Sequence, residues 1–183
     1  MNSEIYFPAE DSYLMSEILR KKVPEILEKN PKTKVLEMGS GSGIQLVTLG
    51  DLGIKNITGT DINPAAVRKC KSLGFRCVLS NLFSKISGKY DIIIFNPPYL
   101  PTDNREPKSS RAATTGGKKG SEIINKFLRL AKSHLRKNGK IFLLTSSLTE
   151  KVDFSGYEKT VISRKKIFFE ELIIFELRLE NKV

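Results

Sequence analysis

A chain of 183 residues with 39% apolar and 28% charged content can bury one real core but not two, and it is too apolar to remain unfolded. Its 31 basic against 20 acidic residues leave a net charge of +11, a surface that attracts polyanions such as nucleic acid or simply keeps the protein solvated. No apolar run approaches the roughly 18 residues of a membrane span and the N-terminus carries no signal peptide, so a cytoplasmic protein with no membrane partner is expected.

Residues 4–14 open with an extended piece ended by Pro8. Glu10 and Asp11 then precede a helical pattern with Leu14, Ile18, Leu19, Val23 and Leu27 on one face, which Pro24 should kink or split. The two acidic residues either complement the helix dipole or lie near a ligand. After a turn at 30–33, Lys34–Met38 reads as a buried strand, followed directly by Gly39, Gly41 and Gly43 and by a helix over 44–52 that Gly53 stops. Glycines at alternate positions between a strand and a helix let the backbone pass close to a ligand at the helix N-terminus. The spacing differs from the dinucleotide-binding G-x-G-x-x-G; with Glu37 ahead of it, the run reads E-x-G-x-G-x-G.

A second strand, 56–60, ends at Asp61, and Pro64 starts the next helix. In a doubly wound sheet an acidic residue at that point reaches the ribose hydroxyls of a bound nucleoside; the alternative is a helix-capping role for Asp61 or Asn63. Phe75–Leu79 is a third strand with Cys77 in it. Cys70 and Cys77 have no histidine near them and no zinc spacing, so reduced core thiols and no metal are expected. Asn81 and Leu82 follow that strand, and the Asn81 side chain could accept from the exocyclic amine of an adenine ring.

The β-branched run Ile92 to Phe95 is a buried strand stopped abruptly by Asn96, Pro97, Pro98 and Tyr99. Neither proline can donate a ladder hydrogen bond, and each fixes its own φ. The Asn96 side chain and the Pro97 carbonyl are then rigid acceptors for the two N–H bonds of a planar NH2 group, with the Tyr99 ring stacked on its plane. The alternative is a Pro-rich turn after a core strand.

Residues 100–120 are poor in apolar side chains and read as a mobile cover over the acceptor site. The clearest helix runs over 121–135, with Ile123, Ile124, Phe127, Leu128, Ala131 and Leu135 in step and Gly139 as its cap. The lone histidine, His134, lies in its basic part, which gives no case for histidine-based catalysis. A fifth strand at 140–145, a short helix at about 148–154 and strands at 157–162 and 172–179 complete the chain, with Phe168 and Phe169 between the last two. Five strand–helix units and two closing strands predict an α/β, Rossmann-like fold: a seven-stranded, mostly parallel sheet with one antiparallel strand and helices on both faces. Residues 1–183 form one domain in this reading, with 1–30 a helical lead-in and 100–120 a substrate-side loop.

These motifs together resemble the class I S-adenosylmethionine-dependent methyltransferases. Pro8 to Leu14, Glu37 to Gly43, Thr60 to Pro64, Phe95 to Tyr99 and the glycines 116, 117 and 120 resemble the HemK family, in its short archaeal and eukaryotic branch. The resemblance covers essentially the whole chain. It implies transfer of a methyl group from S-adenosylmethionine to the side-chain amide of the Gly-Gly-Gln glutamine of a class I translation release factor, with S-adenosylhomocysteine as product. The implied catalytic residues are Asn96, Pro97 and Tyr99, and the cofactor residues Tyr13, Glu37, Gly39, Gly41, Gly43, Asp61, Asn81, Leu82 and Asn96. Glu10, Asp11 and Asn96 to Tyr99 would meet the substrate. The chain is shorter than the bacterial members, which carry a helical N-terminal substrate domain. It also departs from the family pattern at Asn81, where an aspartate is usual. Short-branch relatives resemble each other in needing a small zinc-bearing activator subunit, expected here to add a strand at the Phe75–Leu79 edge.

The same pocket would serve an N6-adenine methyltransferase acting on DNA or RNA, which the +11 charge favours but the lack of a base-reading domain opposes. A lysine methyltransferase and a non-catalytic S-adenosylmethionine-binding scaffold are the remaining alternatives.

Overall fold

The computed structural model describes residues 5–102 and 114–180. A 20-residue helix α1 (Glu10–Lys29) leads into β1 (Lys34–Met38), α2 (Ile44–Asp51), β2 (Asn56–Asp61), α3 (Pro64–Ser72), β3 (Cys77–Leu79) and β4 (Tyr90–Phe95). Two short strands, β5 (Leu100–Pro101) and β6 (Thr115–Gly117), precede α4 (Glu122–His134), β7 (Leu135–Ser146), β8 (Tyr157–Ile167) and β9 (Glu170–Leu179). Seven strands make one sheet in the order β3-β2-β1-β4-β7-β9-β8, while β5 and β6 pair with each other.

The inner strands are parallel, and β9 runs antiparallel to both β7 and β8. This is the Rossmann-like α/β arrangement that the strand–helix alternation predicts, with the one antiparallel strand a place in from the edge. The chain leaves β1 toward β2 and β3, then returns to β4 and continues the other way, so the order reverses between β1 and β4. Right-handed crossovers then put α2 and α3 on one face and α4 on the other. The reversal opens a crevice at the carboxyl ends of β1 and β4, where ligands of such sheets bind.

Central strands are apolar throughout because both faces are covered: Val35, Leu36, Ile92, Ile93, Ile94, Ile141, Phe142, Leu143 and Leu144 are fully buried. Helix α1 adds Leu14, Met15, Ile18, Leu19 and Val23, and α4 adds Ile124, Phe127, Leu128 and Ala131. A smaller cluster of Leu46, Val67, Cys70 and Cys77 lies between α2, α3 and β3, with both thiols free and buried. No helix among the described residues is long and apolar enough to cross a membrane.

Several local expectations are corrected. Helix α1 runs through Pro24 without a break, because Pro24 sits on the exposed face, where water can take up the carbonyl it leaves unpaired. The third strand is only Cys77–Leu79, since Phe75 turns inward against Gly50. Gly139 does not cap α4; the helix ends at His134 and the chain passes directly into β7, shifting register against β4 between Tyr90 and Ile92. There is no helix at 148–154. The Ser146 hydroxyl accepts from the Leu148 amide at 3.0 Å and Thr149 Oγ1 accepts from the Ser146 amide at 3.1 Å, local bonds that compete with helix formation. The last two strands are longer than expected and form one hairpin turned by Phe168 and Phe169. Most of the segment read as a mobile cover, residues 103–113, lies outside the described residues; its flanks pair as β5 and β6.

Candidate active site

The turn after β1 lines the crevice. Gly39, Gly41 and Gly43 all hold positive φ, at 68°, 50° and 86°, and Gly43 is the N-cap of α2. A side chain on Gly41 would meet nothing within 4 Å, so the glycine there leaves a space at a helix N-terminus that a ligand can occupy. Asp61, at the end of β2, closes the turn: its carboxylate accepts from the Gly41 amide at 2.8 Å and from the Asn63 amide at 2.8 Å. Burial raises its pKa, against the pull of the Asn63, Gly41 and Ile62 amides. Asn63 itself caps α3 through the Ala65 amide. Cys70 supports the turn from below, with its thiol 3.8 Å from the Gly41 carbonyl.

Glu37 is buried on β1, and burial pushes its pKa well above the ordinary carboxylate range. Its Oε2 is buried beside the Ser40 hydroxyl, which pulls its pKa down against burial, and neither makes a well-formed hydrogen bond among the described residues. Unpaired buried acceptors are costly, so this part of the crevice fits a ligand that brings N–H or O–H donors. S-adenosylmethionine, with its ammonium and ribose hydroxyls, meets that requirement, and Glu37, Gly39, Gly41 and Asp61 would hold it.

The second half of the site is the mouth of β4. Asn96 Nδ2 donates to Asp11 Oδ2 at 3.0 Å, and Asn96 Oδ1 is buried and without a partner among the described residues. Asp11 is itself buried and heavily engaged. The Tyr6 hydroxyl lies 3.2 and 3.3 Å from its two oxygens, and the Ser12 amide and hydroxyl donate to Oδ1 at 2.6 and 3.2 Å. Burial, reinforced by the Asp11 carboxylate, holds the Tyr6 and Tyr99 phenols above their ordinary pKa, so both stay protonated. The α1 end that carries Asp11 is anchored on α2: Gln45 Nε2 donates to the Ser12 carbonyl at 2.8 Å and the Ser16 hydroxyl donates to Gln45 Oε1 at 2.8 Å.

The glycines at 116 and 120 pack against the backbone of this mouth. An added Cβ on Gly116 would come within 2.5 Å of the Pro98 carbonyl oxygen, and one on Gly120 within 2.2 Å of the Tyr99 carbonyl oxygen. The Tyr99 carbonyl also accepts from the Thr149 hydroxyl at 2.9 Å. Beside the mouth lies a cavity of about 230 Å³, walled by Tyr6, Asp11, Tyr99, Leu100, Ile167 and Glu170 among others. It is large enough for an amide side chain.

Thus Asp11 and Tyr99 wall the cavity and Asn96 joins them through its bond to Asp11, while Glu37, the glycines and Asp61 gather at the neighbouring turn. Glu10 lines the cavity but is ion-paired with Lys165 of β8. Tyr13 is exposed on α1, at 57%. Asn81 is exposed; Leu82 beside it is half-buried with φ of 49° and packs on the main core, its carbonyl taken by the Ser80 hydroxyl at 2.7 Å. Sequence reasoning missed Tyr6, Ser12, Gln45 and Ser80. Ser12 and Ser16 did leave a signal, as small polar residues interrupting the apolar face of α1.

Comparison with known proteins bears on this geometry. The methyltransferase small domain matches residues 16–155. A Methanocaldococcus jannaschii protein named as an N5-glutamine methyltransferase is 37% identical, over 95% of this chain and 91% of its own. The human methyltransferase HEMK2 is 31% identical over 78% of this chain and 72% of its own. Among solved structures, the E. cuniculi Mtq2-Trm112 complex, described as responsible for methylation of the eRF1 translation termination factor, superimposes with a TM-score of 0.74 at 24% identity, over 96% of this chain and 99% of that one.

Proposed function

The chain belongs to the methyltransferase small domain family, and from that membership and the Asn96 mouth we propose that it methylates the side-chain amide nitrogen of a glutamine in a class I translation release factor. It is an S-adenosylmethionine-dependent N-methyltransferase of the HemK kind. The observation that carries the substrate class is the buried Asn96 Oδ1, unpartnered among the described residues, on a side chain bonded to Asp11, which with Tyr99 walls the cavity.

A glutamine amide is a poor nucleophile because its lone pair is delocalised into the carbonyl. Orientation and a fitted electrostatic environment are therefore the main things the protein can supply. Asn96 Oδ1 and the Pro97 carbonyl accept the two amide N–H bonds, and the Tyr99 ring fixes the plane. Asp11 holds Asn96 in the one flip that presents oxygen. With Tyr6, Ser12 and Asn96 all donating to it, Asp11 is a positioning residue rather than an available base. S-adenosylmethionine, when bound at the glycine turn, supplies an electrophilic methyl group on sulfonium.

Residues 1–183 work as one methyltransferase unit in this reading, in the cytoplasm, where release factors act. Tyr13, Gly43, Asn81 and Leu82 complete the cofactor's surroundings, and Glu10 and Pro98 those of the substrate. A small zinc-bearing activator subunit adds a strand along β3. Two features support that: β3 is an open edge, with Leu79 41% exposed, and the eRF1-methylating neighbour was solved as a complex with Trm112. A second reading, methylation of an adenine amine in nucleic acid, is favoured by the +11 charge.

Labelled cofactor separates the two. Label should enter wild-type release factor and not a variant whose Gly-Gly-Gln glutamine is glutamate, which has no NH2 group. Label in RNA or DNA instead would assign the second reading.

A further inference from the structure

Among the described residues, the three most exposed large apolar side chains are Phe168 at 99%, Phe169 at 97% and Phe7 at 84%. Phe168 and Phe169 are the two-residue tip of the β8–β9 hairpin, closed by the Ile167–Glu170 pair. A two-residue tip with positive φ at its first residue alone favours glycine there. Phe168 holds φ of 37°, an unfavourable conformation for a bulky side chain. The tip thus opposes two folding preferences, turn chemistry and burial, and both rings lie open to solvent.

The position of the tip says what it faces. Ile167 and Glu170, its immediate neighbours, wall the acceptor cavity together with Asp11 and Tyr99. Lys165 pairs with Glu10, which ties the hairpin to the start of α1, while Arg164 pairs with Glu171 across the hairpin itself. Phe7 follows Tyr6, another wall of the same cavity. The tip therefore adjoins one wall of the cavity that a glutamine side chain would enter. Lys166 stands beside the tip, exposed and in no ion pair among the described residues. Strand β8 as a whole carries Lys159, Arg164, Lys165 and Lys166 against Glu158.

We propose that Phe168 and Phe169 are the docking anchor for the acceptor protein: the two rings enter an apolar pocket, bordered by carboxylates, on the folded protein that presents the glutamine. The idea rests on the glutamine reading above and deepens it. The cavity recognises the amide, and the hairpin tip recognises the protein that carries it. Continuity of the tip with the cavity wall, and the basic strand behind it, select the acceptor protein over a second copy of this chain, which is itself basic.

The test is the Phe168→Gly, Phe169→Asn double variant, whose turn sequence suits a tip with positive φ at its first residue only. Its thermal midpoint and cofactor affinity should match or exceed the wild type. For intact release factor, KM should rise about 10-fold or more while kcat stays within about twofold, as expected on removing two aromatic anchors. For a short Gly-Gly-Gln peptide, which reaches only the cavity, kcat/KM should not change. An unchanged KM for the intact factor overturns the proposal, as does an equal loss on the peptide. A wild-type dimer that the double variant converts to monomer in sedimentation would also overturn it, by assigning the tip to a second copy. Wild-type protein that methylates neither factor nor peptide is a different failure, of the glutamine reading itself.

Discussion

Asn96 Nδ2 donates to Asp11 Oδ2 at 3.0 Å, joining residues 85 positions apart. The bond fixes the orientation of the Asn96 amide: with nitrogen committed to Asp11, the buried oxygen is left as an acceptor with no partner among the described residues. Asp11→Ala should therefore lower kcat by about 10- to 100-fold through misorientation, with cofactor affinity unchanged. Asp11→Asn keeps an oxygen for Asn96 and should retain more activity. Equal loss in both variants, from steady-state kinetics, would assign Asp11 a role through its charge instead.

Asn96→Ala removes the acceptor itself. Transfer should fall by about 100- to 1,000-fold or more, the scale of losing one preorganised electrostatic contact. Calorimetry should find cofactor binding nearly intact, because the glycine turn and Asp61 are untouched. Loss of cofactor binding as well would remove Asn96 from the role assigned to it.

Gly120→Ala tests whether the glycines shape the mouth. The new Cβ would approach the Tyr99 carbonyl oxygen to 2.2 Å at a residue with φ of 76°, so the backbone must shift. A loss of about 1–3 kcal/mol in denaturant unfolding is expected. Activity should fall further than cofactor affinity, since the displaced group is Tyr99 and not the crevice.

Glu37→Gln should trade function for stability. Burial raises the native pKa of Glu37, so the folded chain keeps this proton above pH of about 4.5, the ordinary value, where the unfolded chain loses it. Folding stability contributed by this residue therefore falls as pH rises through that window. The glutamine variant, tested without cofactor, should gain urea stability over wild type at pH 7 and lose that advantage below pH of about 4. Its cofactor affinity should drop about tenfold or more, through loss of a buried acceptor.

Most of the fold could be read from the chain because local pattern and tertiary role agree there. The apolar pair Val35-Leu36 and the β-branched run Ile92 to Ile94 are buried, and the glycine turn, Asp61 and Asn96 all stand at strand ends that the crossover rule gathers. What failed was local propensity under tertiary override. Pro24 stays in a helix whose other face is anchored by Leu19 and Val23, and Leu148 to Phe154 is drawn out of helix by the Ser146 and Thr149 side chains. The link from Asp11 to Asn96 was not legible, since it depends on Gln45 holding α1 against α2. Nor was the exposure of Phe168 and Phe169 legible, because apolar residues between two strands look the same whether they pack inward or stand clear.

The central claim is tested most directly by mass spectrometry of a recombinant class I release factor after incubation with this protein, the small activator subunit and S-adenosylmethionine. The account predicts a single methyl group on the glutamine of the Gly-Gly-Gln peptide, absent when Asn96→Ala replaces the wild type. An unmodified glutamine, with the methyl group found on an adenine of added nucleic acid or on a lysine, would contradict it.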